Sequence, residues 1–138
     1  MADAGVALVA SWLEKASNDL KTARIIGAAA DGPLDTAIYH CQQAAEKSIK
    51  GYLVFRETAF EKSHDVVRLV RQAEAVDDRF AQFLGAAELL TPLAWQFRYP
   101  TDLVGEEPTR AQFDEALEHA QTVYDFVLNT LPAETHPA

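Results

Sequence analysis

The sequence is poor in cysteine, in long apolar runs and in basic residues at its start, and each shortage excludes a class of protein. Its single cysteine, Cys41, rules out an internal disulfide and a cysteine-based zinc site. No uncharged apolar run approaches the roughly 20 residues that a membrane-spanning helix needs. Residues 1–11 lack the basic start of a signal peptide. We therefore expect one cytoplasmic domain over residues 1–138, without membrane contact and with frayed ends at about 1–5 and 132–138.

Positive charge is also scarce. The formal net charge is −9, and residues 1–63 carry eight acidic and seven basic residues, whereas residues 64–138 carry 13 acidic and five basic ones. Such a chain lacks the long-range attraction to phosphate on which indiscriminate nucleic-acid binding depends, so we expect no DNA binding. The charge still leaves room for a local basic site or for a basic partner protein.

The usual catalytic signatures are missing as well. The chain has no glycine-rich phosphate loop, no nucleophile elbow and no pair of histidines at the spacing of metal ligands on a helix. The four histidines are His40, His64, His119 and His136. We therefore expect neither a metal site nor a cofactor.

Apolar residues recur at steps of three and four along nearly the whole chain, which predicts helices. Five helices are expected, over about residues 6–29, 33–57, 64–75, 78–95 and 110–131. We expect Ser63 to cap the third helix, Pro92 to kink or interrupt the fourth, and Thr109 with Gln112 to form a capping box. Helices with one apolar face and short connections predict an all-α antiparallel helical bundle.

The second helix carries the first of three distinctive polar segments. Gln43, Lys47 and Lys50 project from the side opposite the apolar residues, and Glu46 lies on the flank, four residues before Lys50. By composition alone this segment is typical of a solvated helix face.

The other two polar segments lie near helix ends. Ser63-His64-Asp65 has the composition of a capped helix start with an exposed histidine. Arg98-Tyr99-Pro100 closes the fourth helical segment, where an arginine offsets the negative end of a helix and Asp102 is a nearby partner.

Taken in this order, these features resemble a HEPN domain, and the resemblance covers most of the chain. Its residues are Trp12, the Ala16…Asp19-Leu20…Ala23 pattern, Gln42-Gln43-Ala44-Ala45-Glu46-Lys47…Lys50, Ser63-His64-Asp65-Val66…Leu69 and Arg98-Tyr99-Pro100. The resemblance implies an all-α bundle with a four-helix core that usually dimerises and associates with nucleotides or RNA. In prokaryotes such proteins are often encoded beside a minimal nucleotidyltransferase, in toxin–antitoxin-like pairs.

Many HEPN proteins are metal-independent ribonucleases whose motif is an arginine followed, after four to six residues, by a histidine. The imidazole has the near-neutral pKa that proton transfer from a 2′-hydroxyl needs, and the arginine balances charge on the phosphate. Arg98 matches the motif arginine, but residues 99–105 contain no histidine and the next one is His119. The phenol of Tyr99 is a poor base at neutral pH. The sequence therefore favours a non-catalytic or weakly active protein, with Arg98 as the single catalytic candidate.

The leading expectation is a homodimer that binds a nucleotide or RNA end around Arg98 and acts with a nucleotidyltransferase-type partner. The candidate ligand-binding residues are Arg98, Tyr99, Asp102, Lys47, Lys50 and His64, and Tyr99 or Trp95 would stack on a base. Two alternatives stay open. One is a ribonuclease in which His64 or His119 approaches Arg98, and the other is an acidic interaction module that has no small ligand and docks onto a basic partner.

Overall fold

The structure, a computed structural model, describes residues 3–97 and 106–138. These residues form five α-helices and two short 3-10 helices and contain no strand. The α-helices are α1 (Asp3–Ala28), α2 (Leu34–Phe55), α3 (Val66–Val76), α4 (Leu84–Gln96) and α5 (Arg110–Thr130), and the 3-10 helices span Asp78–Phe83 and Ala133–Thr135. The predicted all-α bundle of about five helices is confirmed. None of the described helices combines the length and the apolar character needed to cross a membrane.

Helix α2 lies at the centre of the bundle and packs against α1, α3, α4 and α5. Its predicted apolar side is fully buried or nearly so, at Ile38, Cys41, Ala45, Ile49 and Tyr52. Its polar side is buried too, because neighbouring helices cover it: Gln42, Gln43, Glu46 and Lys50 are each at most 9% exposed. The expectation of a solvated face here is therefore wrong. Polar groups buried in this way must find partners inside the protein.

The ends of the helices follow local sequence signals, with three differences from expectation. The fourth helix was expected from about residue 78, but Asp78–Phe83 form a 3-10 helix and α4 begins at Leu84. The carboxylate of Asp65 accepts hydrogen bonds from the backbone N–H groups of Val67 and Arg68, so Asp65 caps α3, and Ser63 instead accepts from the N–H of Asp65. Helix α4 continues through Pro92 to Gln96, so the proline does not interrupt it. The predicted capping box of Thr109 and Gln112 is present at the start of α5.

The C-terminal tail is packed against the bundle, in contrast to the predicted fraying. Thr135 is fully buried in the last 3-10 helix. The Nε2 atom of His136 lies 2.6 Å from the carbonyl oxygen of Leu128 and 3.1 Å from that of Leu131. These carbonyls lie at the end of α5, where an imidazole N–H supplies a hydrogen bond that the helix itself cannot.

A polar network ties the C-terminal end of α2 to the segment after α3. The hydroxyl of Tyr52 donates to Asp77 at 3.0 Å, and Arg56 donates to the same hydroxyl at 2.7 Å. Arg79 pairs with Asp77 through two nitrogens and stacks over the ring of Phe126. Hydrogen bonds from Arg79 hold the pKa of the Asp77 carboxyl well below its usual range.

Candidate functional site

A cavity of about 750 Å³ opens between α2, the start of α3 and α4. Its lining combines amide, hydroxyl, imidazole and aromatic groups, contributed by Tyr39, Gln42, Gln43, His64, Asp65, Thr91, Pro92, Ala94 and Trp95. Binding sites for small molecules in proteins have volumes of roughly 300–1,000 Å³ and few polar groups among apolar ones. The cavity therefore has the size and composition of a ligand site.

Three of the lining residues are held by one buried carboxylate, that of Glu46. Its Oε1 accepts from Lys50 Nζ at 2.7 Å and contacts His64 Nδ1 at 3.0 Å. Its Oε2 accepts from the side-chain amides of Gln42 at 3.0 Å and Gln43 at 3.1 Å. Spacings of three and four residues place these α2 side chains around Glu46 on one stretch of helix. The cluster compensates a buried charge that would otherwise be costly.

Glu46 also determines how His64 presents its imidazole. A carboxylate paired with a lysine only accepts hydrogen bonds, so the tautomer that fits this contact carries its proton on Nδ1 and leaves Nε2 as an acceptor. The amide of Gln42 donates to the backbone carbonyl of His64 at 2.9 Å and fixes the main chain as well. The His64 side chain is nevertheless 82% exposed. An imidazole of fixed orientation thus faces solvent at the cavity.

Helix α4 contributes two further features to the cavity wall. The Trp95 side chain is 63% exposed, although it lines the cavity. The hydroxyl of Thr91 is buried and has no hydrogen-bond partner within residues 3–97 and 106–138. Leaving a buried hydroxyl unpaired costs about 1–3 kcal/mol, so a ligand or water in the cavity that bonds to Thr91 would recover this energy.

The two lysines predicted to bind a ligand lie elsewhere. The Nζ of Lys50 is tied to Glu46 and lies 5.7 Å from the ring centroids of Trp12 and Phe60. The Nζ of Lys47 lies 2.7 Å from Asp19, whose other oxygen contacts His40 at 2.8 Å. Neither lysine lines the cavity, and each is neutralised by a carboxylate.

The remaining predicted residues divide into three groups. His64 and Trp95 lie together at the cavity, and His119 lies on α5, 3.6 Å from Glu115 and outside the lining. Arg98, Tyr99 and Asp102 fall outside the described residues. Sequence reasoning missed Gln42, Gln43 and Thr91 as lining residues, and it missed Glu46 as the anchor of the two glutamines. The signal for Glu46 was its three- and four-residue spacing from amide and lysine donors.

Two other chemistries find little support in the described part of the chain. It contains no group of three or more side chains placed to hold a metal ion. Burial raises the pKa of the Cys41 thiol to about 12. Because the thiolate is the nucleophile, this cysteine is inert at neutral pH.

Comparisons with known proteins agree with this architecture. The family model described as HEPN domain matches residues 9–130. The crystal structure of ST0689, an archaeal HEPN homologue, is similar with a TM-score of 0.71 and 25% identity, covering 88% of this chain and 96% of that one. The crystal structure of TT1696 from Thermus thermophilus is similar with a TM-score of 0.77 and 29% identity, covering 91% of this chain and 99% of that one. A search of curated proteins found no match.

Proposed function

The chain belongs to the HEPN domain family, and from this premise we propose that it binds a nucleotide or the end of an RNA in the cavity beside His64. We further propose that it acts as a cytoplasmic homodimer, without catalysis or with weak activity, together with a minimal nucleotidyltransferase-type partner in a toxin–antitoxin-like pair. The observation that carries the binding proposal is the cavity itself, whose lining includes an exposed indole, an oriented imidazole and a residue with an unpaired hydroxyl.

The lining suits a nucleobase. An exposed indole such as that of Trp95 offers a face for stacking, which is worth about 1–3 kcal/mol per base. The amide nitrogen of Gln43 is used by Glu46 and Gln42, so its Oε1 is the polar atom that remains for a ligand. An amide oxygen accepts hydrogen bonds, and the Thr91 hydroxyl both donates and accepts. Together they match the amino and ring-nitrogen edges of a base.

The phosphate of the ligand is assigned to Arg98 in this proposal. This arginine follows Trp95 by three residues and occupies the position of the HEPN motif arginine. A guanidinium binds phosphate through two parallel hydrogen bonds. Tyr99 and Asp102 belong to the same proposed site, whereas Lys47 and Lys50 support it as counter-ions of Asp19 and Glu46.

Ligand-induced stabilisation tests the binding proposal. We expect nucleoside monophosphates to raise the melting temperature of the wild-type protein, because a ligand that binds the folded state stabilises it. Trp95→Ala and Arg98→Ala should each lose most of this increase. Lys21→Gln, an exposed residue of α1, serves as the control and should retain it. The absence of stabilisation by every nucleotide and by short RNA would overturn the proposal.

The assembly part of the proposal has its own measurements. Light scattering on a size-exclusion column should give twice the mass of one chain, and a single-chain mass would contradict the homodimer. A minimal nucleotidyltransferase gene beside this one, with co-purification of its product, is the expected result for the partner. Failure of the co-expressed pair to associate would remove the partner from the proposal.

A second candidate function, metal-independent RNA cleavage, is favoured by the Glu46–His64 contact. A carboxylate that holds Nδ1–H leaves Nε2 able to take the proton of a 2′-hydroxyl as its oxygen attacks the phosphorus. The attack forms a 2′,3′-cyclic phosphate and breaks the bond to the 5′-oxygen of the next nucleotide, which takes a proton from water. The test incubates structured RNA with the protein and a chelator. Cleavage that His64→Gln abolishes and His119→Gln retains would establish this activity, whereas cleavage equal in both variants would exclude His64 as its base.

A further inference from the structure

A second, smaller pocket has a volume of about 250 Å³. It is lined by Glu61, Ser63, Arg68, Arg71 and Gln72. Ser63 lines this pocket and His64 lines the larger cavity, so a single peptide unit joins the two linings. A ligand larger than one nucleotide would extend from one space into the other by passing His64.

The small pocket contains two arginine side chains, although both come from the acidic half of the chain. Residues 64–138 contain five basic residues against 13 acidic ones, and two of the five, Arg68 and Arg71, line this pocket. Arg71 forms no ion pair with any residue that the structure describes. Arg68 lies 3.3 Å from Glu61, but their side chains are 62% and 64% exposed, so the pair is solvent-screened and weak. Both guanidiniums are therefore available to an incoming anion.

The other groups of the pocket agree with an anionic ligand. The oxygen of the Ser63 hydroxyl accepts from the N–H of Asp65, which leaves its hydrogen free to donate. Asp65 already occupies the first N–H groups of α3, so an anion here would be bound by side chains and not by the helix terminus. Arg68 and Arg71, three residues apart, project from one face of α3. Two guanidiniums and a hydroxyl are donors that suit phosphate oxygens.

We propose that the pocket of Ser63, Arg68 and Arg71 binds a phosphate group of a single-stranded RNA whose neighbouring base enters the cavity. The proposal rests on the proposed function and deepens it, because it assigns a strand of at least two nucleotides, and not a mononucleotide, as the ligand. The sugar–phosphate backbone of the RNA passes next to His64, and the bound phosphate takes the place of the Glu61 carboxylate beside Arg68.

Fluorescence anisotropy with a short labelled oligoribonucleotide tests the proposal. We expect Arg68→Gln/Arg71→Gln to weaken binding about tenfold or more, as for the loss of charge-assisted hydrogen bonds. The slope of log K against log salt is negative, and it should become less steep by about 0.7 for the loss of one phosphate contact on a single strand. Lys21→Gln, on a helix that packs mainly against α2, should leave both quantities unchanged.

Glu61 gives a test of opposite sign. Glu61→Gln removes the carboxylate that repels a phosphate at Arg68 and should tighten oligoribonucleotide binding by more than Glu118→Gln, which removes an exposed charge on α5. Equal effects of the two variants would indicate a general charge effect and contradict a pocket at Arg68. Both substitutions lie on the surface, so a failure to fold does not obscure the comparison.

Adenosine monophosphate and inorganic phosphate separate this proposal from the proposed function. We expect the double arginine variant to bind the mononucleotide as the wild type does and to lose affinity only for the strand. Unchanged strand affinity in that variant, with mononucleotide binding intact, would overturn the phosphate pocket alone.

Stabilisation by inorganic phosphate that depends on both arginines, without any effect on strand affinity, would identify a free-phosphate site and overturn the RNA assignment. No binding of either nucleotide or strand by the wild type would overturn the proposed function.

Discussion

The imidazole of His64 and the carboxylate of Glu46 meet at 3.0 Å, although 18 residues separate them and their exposures are opposite. The His64 side chain is 82% exposed, whereas that of Glu46 is 3% exposed. The buried carboxylate of Glu46 is held in place by Lys50. Its hydrogen bond therefore fixes the orientation of the exposed His64 ring. The pair therefore connects the packing of α2 to the chemistry of the cavity.

Glu46→Gln should lower the free energy of unfolding by about 3–5 kcal/mol, because it leaves the ammonium of Lys50 buried without its counter-ion. Urea denaturation measures this loss as a lower midpoint concentration, provided that the dependence of the unfolding free energy on urea concentration is the same in both proteins. Glu46→Gln/Lys50→Met should recover most of it, since an apolar side chain of similar length removes the unpaired charge. Glu14→Gln, at an exposed position of α1, is the control and should change stability by no more than about 0.5 kcal/mol.

Asp77→Asn should make the free energy of unfolding depend less on pH under acidic conditions. The pKa of Asp77 is lowered in the folded protein by its hydrogen bonds from Arg79, so its contribution is present above the unfolded-state pKa of about 3.9. That contribution is lost as the pH falls below this value towards the folded pKa. Urea midpoints at about pH 3 and about pH 7 should therefore differ less in Asp77→Asn than in the wild type. Asp114→Asn, an exposed residue of α5, should retain the wild-type difference.

Two glycines should respond to alanine with opposite signs. A Cβ at Gly32 would lie 1.9 Å from the backbone oxygen of Ile26, so Gly32→Ala forces the turn between α1 and α2 to shift. We expect a loss of about 1–3 kcal/mol. A Cβ at Gly85, in the first turn of α4, meets nothing within 4 Å. Gly85→Ala should therefore stabilise the protein by about 0.5–1 kcal/mol. Thermal unfolding of both variants checks the pair, and equal shifts would contradict the geometry.

Cys41 should resist alkylation in the native protein at neutral pH. Its side chain is fully buried and its thiol pKa is raised to about 12, so little thiolate exists to react. Iodoacetamide followed by mass spectrometry should show modification only after denaturant is added. Rapid labelling of the folded protein would show that α2 opens locally around this position.

The sequence predicted the features whose causes are local. Thr109 and Gln112 are three residues apart, and the capping box that they form needs no other part of the chain. Whether Ser63 or Asp65 caps α3 does not depend on neighbouring residues alone. It depends on where the chain turns, and the bond from Gln42 to the carbonyl of His64 helps to fix that turn. Both residues are good caps, so their types alone could not decide between them.

At the candidate site, Glu46 likewise combines a feature that the sequence shows with one that only the tertiary structure shows. Its spacing from Gln42, Gln43 and Lys50 was visible in the sequence, but a solvated helix carries the same spacings. Thr91 had no sequence signal, since one hydroxyl in a helix becomes unusual only when its surroundings leave it unpaired.

The order and kind of the helices were determined by the sequence itself, because the period of its apolar residues is a property of neighbouring positions. The family resemblance followed from the same linear order of motifs, and residues 9–130 match the family model. Only the tertiary structure decided that the polar side of α2 is largely covered, that Glu46 is buried and that His64 is held at a cavity. Burial depends on what the rest of the chain places against a residue, and this information is not contained in the spacing along one helix.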